Sequence, residues 1–553
     1  MKFATSHLLD GVGVKAADHA GTDDSKFHVR LQQWEGRDAK ELRTDCNFVS
    51  IHADIGLQIG GRQNLKFAWR KATLVSCLQQ MNSFGGVRTL RKSFMTTPNS
   101  YSKESSGPWW SQLSGYHWFV FVVASLAWFF DCLDQRLFSL ARIAALKELM
   151  PGTPMDKIQA MGKDVTALFL VGWGIGGMIF GALGDRYGRS RMLTITVLIY
   201  SVFTGLSFFS HYYWDFALFR FLTGVGVGGV FGLAVALIAE TVPSGARAGA
   251  LGTLQVLSTV GNVSASFINM GIDSLQKAGS IPQGHGWRYL FLVGAVPALL
   301  VIFIQKYLRE PEPWLKLKAE GRLPTGNIFS PYVALLGDKT WRHNLIVGTV
   351  IASTGVIGLW AIGEYAVDLQ DVVFKNHFLS QGVDPASVQA KVNDSKSLVF
   401  LLNMLGGAVG MSVFTWMCGA FGRRKSFVIG FSAALVVTAL VYKFISTPTQ
   451  AMWMMPLMGA VQLGTLAGFS IYLPELFPSR LRSTGVSFCY NLGRFAAAAG
   501  SLFSARLATD VFAKAGSPDN LRYSAIAMCS IFLIGIVAVL WAPETKGKPL
   551  PED

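Results

Sequence analysis

Apolar and polar positions in this chain alternate on the scale of a bilayer, not of a helical turn. From Tyr116 onward, apolar stretches follow one another, separated by short polar joints. The pattern predicts spans near 116–142, 163–184, 191–210, 214–240, 248–272 and 287–307. After a polar connection it predicts six more, near 344–368, 395–418, 426–444, 451–473, 485–507 and 523–542. Each is close to the roughly 20 residues a helix needs to cross a hydrocarbon core. The expected fold is an all-α membrane protein, its 12 transmembrane helices arranged as two pseudo-symmetric six-helix bundles.

Residues 1–108 break this pattern, mixing charge, Gly, Ser and Asn without a sustained helical period. They are expected to be a disordered extension, or sequence translated upstream of a true start, with Met95 opening an ordinary N-terminus. The expected organisation is an extension (1–108), a first bundle (109–307), a cytoplasmic linker (308–343), a second bundle (344–543) and a cytoplasmic tail (544–553).

The two bundles carry one loop chemistry twice. Glu240, Pro243, Ser244 and Arg247 recur as Glu475, Pro478, Ser479 and Arg482, an offset of 235. Gly188 and Arg189 recur as Gly422 and Arg423, an offset of 234. Two loops sharing one offset argue for a duplicated half. Duplicated bundles of apolar helices are the plan of secondary transporters, whose site lies between the halves.

Charge sets the sidedness. Only 15% of the 553 residues are charged, against about 25% in a soluble protein. The formal net charge is +15, and Arg and Lys gather in the loops after even-numbered spans: Arg186, Arg189 and Arg191; Arg247; Lys306 to Arg342; Arg423 and Arg424; Arg480 and Arg482. Under the positive-inside rule those loops and both termini face the cytoplasm, which implies a multi-pass protein of the cytoplasmic membrane. This placement leaves no basic face for nucleic acid. Six cysteines and nine histidines show no metal-ligand spacing, and GxxxxGK[ST] does not occur. No cofactor, metal, ATP drive or enzymatic constellation is therefore expected. Gly224, Gly226 and Gly229 spell GxGxxG, but within a bilayer-length helix and without the preceding strand that a dinucleotide site requires. Gly172 and Gly176, and Gly224, Gly228 and Gly232, instead form small-residue stripes for close helix packing.

Further residues carry a resemblance. Gly181, Leu183, Asp185, Arg186, Gly188, Arg189 and Arg191 resemble the loop motif of the major facilitator superfamily, and Arg220, Gly224 and Gly228 its fourth-span motif. REPEPWL (Arg309 to Leu315), PELFPSRLRSTG (Pro474 to Gly485) and PETKG (Pro543 to Gly547) resemble its sugar-porter and metabolite–proton symporter branches. Phe130 to Gln135 resembles the DGxD signature of aromatic-acid and sialic-acid proton symporters, with Cys132 in place of Gly. In the second half Gly419 and Ala420 stand where the motif has Asp and Arg, so the resemblance implies a weaker gate there.

Intramembrane charge is costly, roughly 2.5–3.5 kcal/mol on insertion scales, and marks candidate chemistry. Asp131 and Asp134 share a helix face. Two desolvated carboxylates cannot both carry charge cheaply, which suits proton coupling with Asp131 the deeper; the alternative is that Arg136 or a neighbouring helix neutralises them as structural ion pairs. The repeat offset places Glu364 and Asp368 at equivalent positions in the seventh span, with Trp360 and Tyr365 flanking Glu364 as packing surfaces for a ring. Arg494, about nine residues into the eleventh span, can clamp a substrate carboxylate or make a structural pair with an acid on a neighbouring helix. Gln255, Asn262, Asn403, Gln462 and Asn491 can line a cavity or simply join helices. Asp185, Arg186, Arg189, Arg220, Glu240, Arg247, Glu475 and Arg482 are the expected cytoplasmic gate.

The sequence thus predicts a monomeric, proton-coupled symporter of a small organic anion, with the substrate, protons and the lipid bilayer as its partners. A sugar or polyol carrier is the alternative in mechanism, and a non-transporting membrane sensor the alternative of another class.

Overall fold

A computed structural model describes residues 107–552. The expectation for residues 1–108 falls, apart from its last two residues, outside the described residues. The first bundle contains α1 (Gly115–Leu149), α2 (Met155–Tyr187), α3 (Arg189–Leu206), α4 (Tyr213–Thr241) and α5 (Ser244–Lys277). Its sixth span is broken into α6 (Gly286–Gly294) and α7 (Ala298–Tyr307) at Pro297, which lacks the N–H a continuous helix would use. The linker holds two short helices, α8 (Glu312–Ala319) and α9 (Ser330–Gly337). The seventh span is α10 (Lys339–Ile357), a π turn (Gly358–Ile362) and α11 (Gly363–Ser380). Then come α12 (Pro385–Phe421), α13 (Arg423–Phe444), α14 (Pro448–Tyr472) and α15 (Arg482–Arg506), and a twelfth span made of α16 (Asp519–Met528) and α17 (Ile531–Trp541).

The helix starts follow capping chemistry. Ser114 Oγ accepts from the His117 N–H at 3.3 Å while His117 Nδ1 accepts from the Ser114 N–H at 3.2 Å, a reciprocal box that opens α1. Asp338 accepts from the N–H groups of Thr340 and Trp341 and opens α10. Single glycines with positive φ, Gly188 at 112° and Gly422 at 91°, turn α2 into α3 and α12 into α13.

Among the described residues, ten segments are long and apolar enough to cross a membrane; α5 and α15 are long enough but too polar to be among them. The reason lies in what they touch. α15 packs against α2 and α4, and α5 against α12 and α14, so both run between the halves. They complete the twelve spans.

The repeat extends to backbone packing. A Cβ on Gly172 or Gly176 of α2 would run into the carbonyls of Phe221 and Val225 on α4. A Cβ on Gly406 or Gly410 of α12 would likewise meet Pro456 and Ala460 on α14, each glycine offset by 234 from its first-half counterpart. Each half is therefore knitted around the same close crossing. Another glycine set on α2 serves the other partner: at Gly174, Gly177 and Gly181 a Cβ would strike Phe495, Asn491 and Ser487 of α15.

Candidate functional site

Asp131 and Asp134 are both fully buried on α1, and the structure separates their roles. Asp134 turns into its own half. Its Oδ1 accepts from Thr204 Oγ1 of α3 at 2.8 Å and its Oδ2 lies 3.7 Å from Arg220 Nη1 of α4. Arg220 also donates to Ser207 Oγ at 2.8 Å and lies 4.5 Å from the centroid of the Phe291 ring. Arg220, grouped with the gate but as the family-motif arginine also expected to order helices and proton paths, sits seven residues into α4, toward the end away from the arginine-rich loops, and pairs with Asp134.

Asp131 has no such cation in contact. Gln135 Nε2 donates to its Oδ1 at 3.2 Å, and its Oδ2 has no hydrogen-bond partner. Within electrostatic reach across the midline is Arg494 of α15. Its guanidinium lies 3.5 Å from the ring centroid of Trp173, on α2, and 4.4 Å from that of Tyr490. Nη1 donates to Asn491 Oδ1 at 3.0 Å, while Nε finds no acceptor. Tyr490 in turn stacks on Phe231 of α4 at 3.9 Å, with Trp128 of α1 5.0 Å from the same ring. An aromatic cage from both halves thus surrounds one buried cation and one buried carboxyl, each with an unused polar atom.

The remaining cavity candidates divide. Gln255 Oε1 and Asn403 Oδ1 are buried without partners. Asn262 instead donates to Ser258 O of its own helix at 2.9 Å, and Gln462 Nε2 to Thr438 Oγ1 of α13 at 3.1 Å, so only Gln462 joins two helices. Asn491 donates to Ser487 O at 2.8 Å and reaches Gly228 O across the halves at 3.4 Å. Trp360 lies in the π turn, partly buried, and Tyr365 is buried just beyond it. Tyr442 OH donates to Ile362 O, which holds that turn. The Glu364 side chain lies outside the described residues. Asp368, at the second position the offset names, is exposed.

At the arginine-rich end the halves are joined by charge. Asp185 of α2 caps the first turn of α15: its carboxylate accepts from Ser483 N at 3.0 Å, Thr484 N at 2.8 Å and Thr484 Oγ1 at 2.6 Å. A carboxylate there meets both free N–H groups and the positive helix end. Arg189 lies 3.1 Å from Asp185 and 3.1 Å from Glu240, and also donates to Ser479 O. Glu240 Oε1 further accepts from Ser479 Oγ at 2.7 Å and Arg482 Nη1 at 2.6 Å. The linker braces this end, with Arg186 donating to Gly326 O, Trp314 Nε1 to Asp185 O and Tyr332 OH to Met178 O.

Two gate expectations change. Arg247 donates to Ala239 O at 2.8 Å, as its repeat partner Arg482 does to Pro474 O at 3.0 Å, so its bond stays within the first half. Glu475 also stays at home: Arg423 grips it with two bonds of 3.0 and 2.6 Å, and Thr545 Oγ1 donates to it. The second-half pair is thus closer than Arg189–Glu240: Arg423 gives Glu475 two bonds, whereas Arg189 is shared with Asp185 and Ser479 O. What the second half lacks is the carboxylate that crosses to the other half, since Gly419 stands there.

Two further acids emerge. Glu310 accepts from the Ser190 and Arg191 N–H groups at the start of α3, and Glu544, offset by 234, from those of Arg423 and Arg424 at the start of α13. Their shared offset within REPEPWL and PETKG was a readable signal. Partial burial pushes the Glu544 carboxyl up, but backbone N–H donors, including those of Lys546 and Thr545, outweigh it and hold it below the ordinary range. A depressed folded value stabilises above the ordinary carboxylate pKa and is lost as pH falls through the folded value. Glu544→Gln should therefore lower the thermal midpoint near pH 7, and the gap from wild type should close on acidification below about pH 4. A gap independent of pH would deny the carboxylate this role.

Residues 113–323 match the family model described as "Sugar (and other) transporter", and residues 377–552 the one described as "Major Facilitator Superfamily". A metabolite transport protein of Haemophilus influenzae is 28% identical over 454 residues, covering 80% of this chain and 99% of its own. The cis,cis-muconate transport protein of Acinetobacter baylyi is 25% identical over 441 residues, covering 79% and 98%. Among solved structures, the proton:xylose symporter XylE of E. coli has a TM-score of 0.60 at 19% identity, covering 79% of this chain and 98% of that one, a likeness of fold.

Proposed function

The chain belongs to the major facilitator superfamily, a family of multi-pass membrane transporters of small molecules, and on that premise we propose that it carries a small organic anion together with protons. The observation that supports this most is Arg494: a buried guanidinium between aromatic rings of both halves, with a free Nε and no acid in contact. A carboxylate is the guest whose geometry and charge suit such a group. The relative named for cis,cis-muconate, a carboxylate, agrees with that chemistry. Asp131 is the proton carrier in this reading. Its charge sits opposite Arg494, so protonation and anion binding can each change the balance of one small cleft.

The arginine-rich loops and both termini face the cytoplasm, and the membrane is the cytoplasmic one. Each chain holds both halves and the whole cleft, and works as a monomer. Asp185 and Glu240 close the cytoplasmic ends in one state, and rocking of the halves about the cleft exchanges access. Neutral sugar or polyol carriage is the second reading, favoured by the family model that matches residues 113–323.

Uptake into cells expressing the full chain separates the two. Benzoate and cis,cis-muconate should accumulate, and a protonophore should abolish the accumulation; xylose should not compete. Arg494→Lys keeps the charge but loses the planar fork, and should raise the KM for the anions about tenfold. Unchanged anion KM in that variant, or xylose uptake without anion uptake, would overturn the proposal.

A further inference from the structure

Among the described residues, one partly buried cation between the halves is left over. Arg136 lies five residues beyond Asp131 on α1, roughly 7 Å further from the arginine-rich end at 1.5 Å per residue. Its guanidinium carbon sits 3.8 Å from the centroid of the Phe400 ring on α12, so the contact crosses from one half to the other. Among the described residues, no carboxylate lies within ion-pair distance of it, and its buried Nε has no hydrogen-bond partner. Asp134, two residues before it, pairs with Arg220; Asp371 pairs at 2.7 Å with Lys396, one turn before Phe400 on α12; Asp131, five residues before it, makes no ion pair with it. A ring face compensates a partly desolvated cation only in part. Nor is the residue a packing spacer, since a planar donor group is held between the halves with a donor unused.

We propose that Arg136 is a second anion-binding group, on the side away from the arginine-rich loops, and that Phe400 is its displaceable cover. This rests on the anion-transport reading and deepens it, because it assigns the entry-side contact for the same carboxylate. An incoming carboxylate takes the guanidinium from the ring as a charge-assisted, bidentate partner, then passes inward to Arg494. Phe400 lends the empty protein a substitute for the anion. Since the ring competes with the guest, removing it should favour binding, the opposite of what loss of a structural contact would do.

The test is initial-rate uptake of external benzoate and cis,cis-muconate by cells expressing the full chain. Arg136→Gln should raise KM about tenfold with a smaller change in kcat, and Arg136→Lys should recover part of that loss. Phe400→Ala should lower KM about threefold, and should lose that benefit in the Arg136→Gln background. Should Arg136→Gln fail to reach the membrane, Phe400→Ala alone decides. A Phe400→Ala variant whose KM rises, or an Arg136→Gln variant with wild-type KM, overturns this inference and leaves anion transport standing. A wild-type protein that moves neither probe overturns both.

Discussion

Asp131→Asn is expected to abolish uphill accumulation of the anion while leaving exchange of internal for external anion substantially intact. Asparagine preserves the size of the group and an oxygen for Gln135 Nε2, which now donates at 3.2 Å, so packing around the fully buried position has little reason to change. What is lost is, among the described residues, the one core carboxyl with neither a cation in contact nor a partner for Oδ2. One proton crossing 100 mV supplies about 2.3 kcal/mol, or about fiftyfold in accumulation, and a carrier without that proton should level off near onefold. Exchange needs only the anion site and the rocking motion. The comparison variant is Asp134→Asn. Because Asp134 neutralises Arg220 inside the first half, its loss leaves a buried cation unpaired, and should reduce folded protein and exchange together. The measurement is accumulation ratio and exchange rate for both variants at several external pH values. Wild-type accumulation and pH dependence in Asp131→Asn would remove Asp131 from coupling.

The difference between these two acids also marks where reading from sequence stops. Spacing of three places them on one helix face, but 100° per residue still leaves them about 60° apart. That angle is enough for one to look toward Arg220 and the other toward the cleft, and only the packed neighbours decide which does. Span positions were legible because lipid demands apolar length. α5 and α15 were found by the same pattern although they are the least lipid-like, since their Ser, Asn and Gln residues serve the contact between halves. Helix ends were drawn short: α1 runs to Leu149 and α12 starts at Pro385, because a helix can project past the bilayer on polar turns that hydropathy does not score. The 234-residue offset carried more than was taken from it. It pairs Gly172 and Gly176 with Gly406 and Gly410, and Glu310 with Glu544. The contact of Asp185 with the start of α15 had no local signal, because it depends on a helix N-terminus some 300 residues away.

That contact belongs to a cluster whose balance predicts the second large effect. Glu240→Gln should unlock the arginine-rich end. Arg189 and Arg482 are both buried there, and Glu240 Oε1 takes a hydrogen bond from each and from Ser479 Oγ. With Asp185, two anions here make direct ion pairs with two cations, and a third cation, Arg247, stands within electrostatic reach of Glu240. Removing one anion leaves an excess positive charge in a site shielded from water, at a cost of about 3–5 kcal/mol for a broken buried pair. The cost falls on the joined state, since separated ends return both guanidinium groups to water. An equilibrium shift of two orders of magnitude or more toward separated ends follows. Ser487 reports it: the residue is buried and faces Gly181 and Gly232 of the first half. In a background without native cysteines, Ser487→Cys should react with a maleimide far faster when Glu240→Gln is present. Glu475→Gln is the control. It breaks an equally tight pair with Arg423, but within the second half, so it should destabilise the protein without speeding Ser487→Cys labelling. Equal acceleration by both variants would mean that loss of any buried pair loosens this end, and that Glu240 holds no lock between the halves.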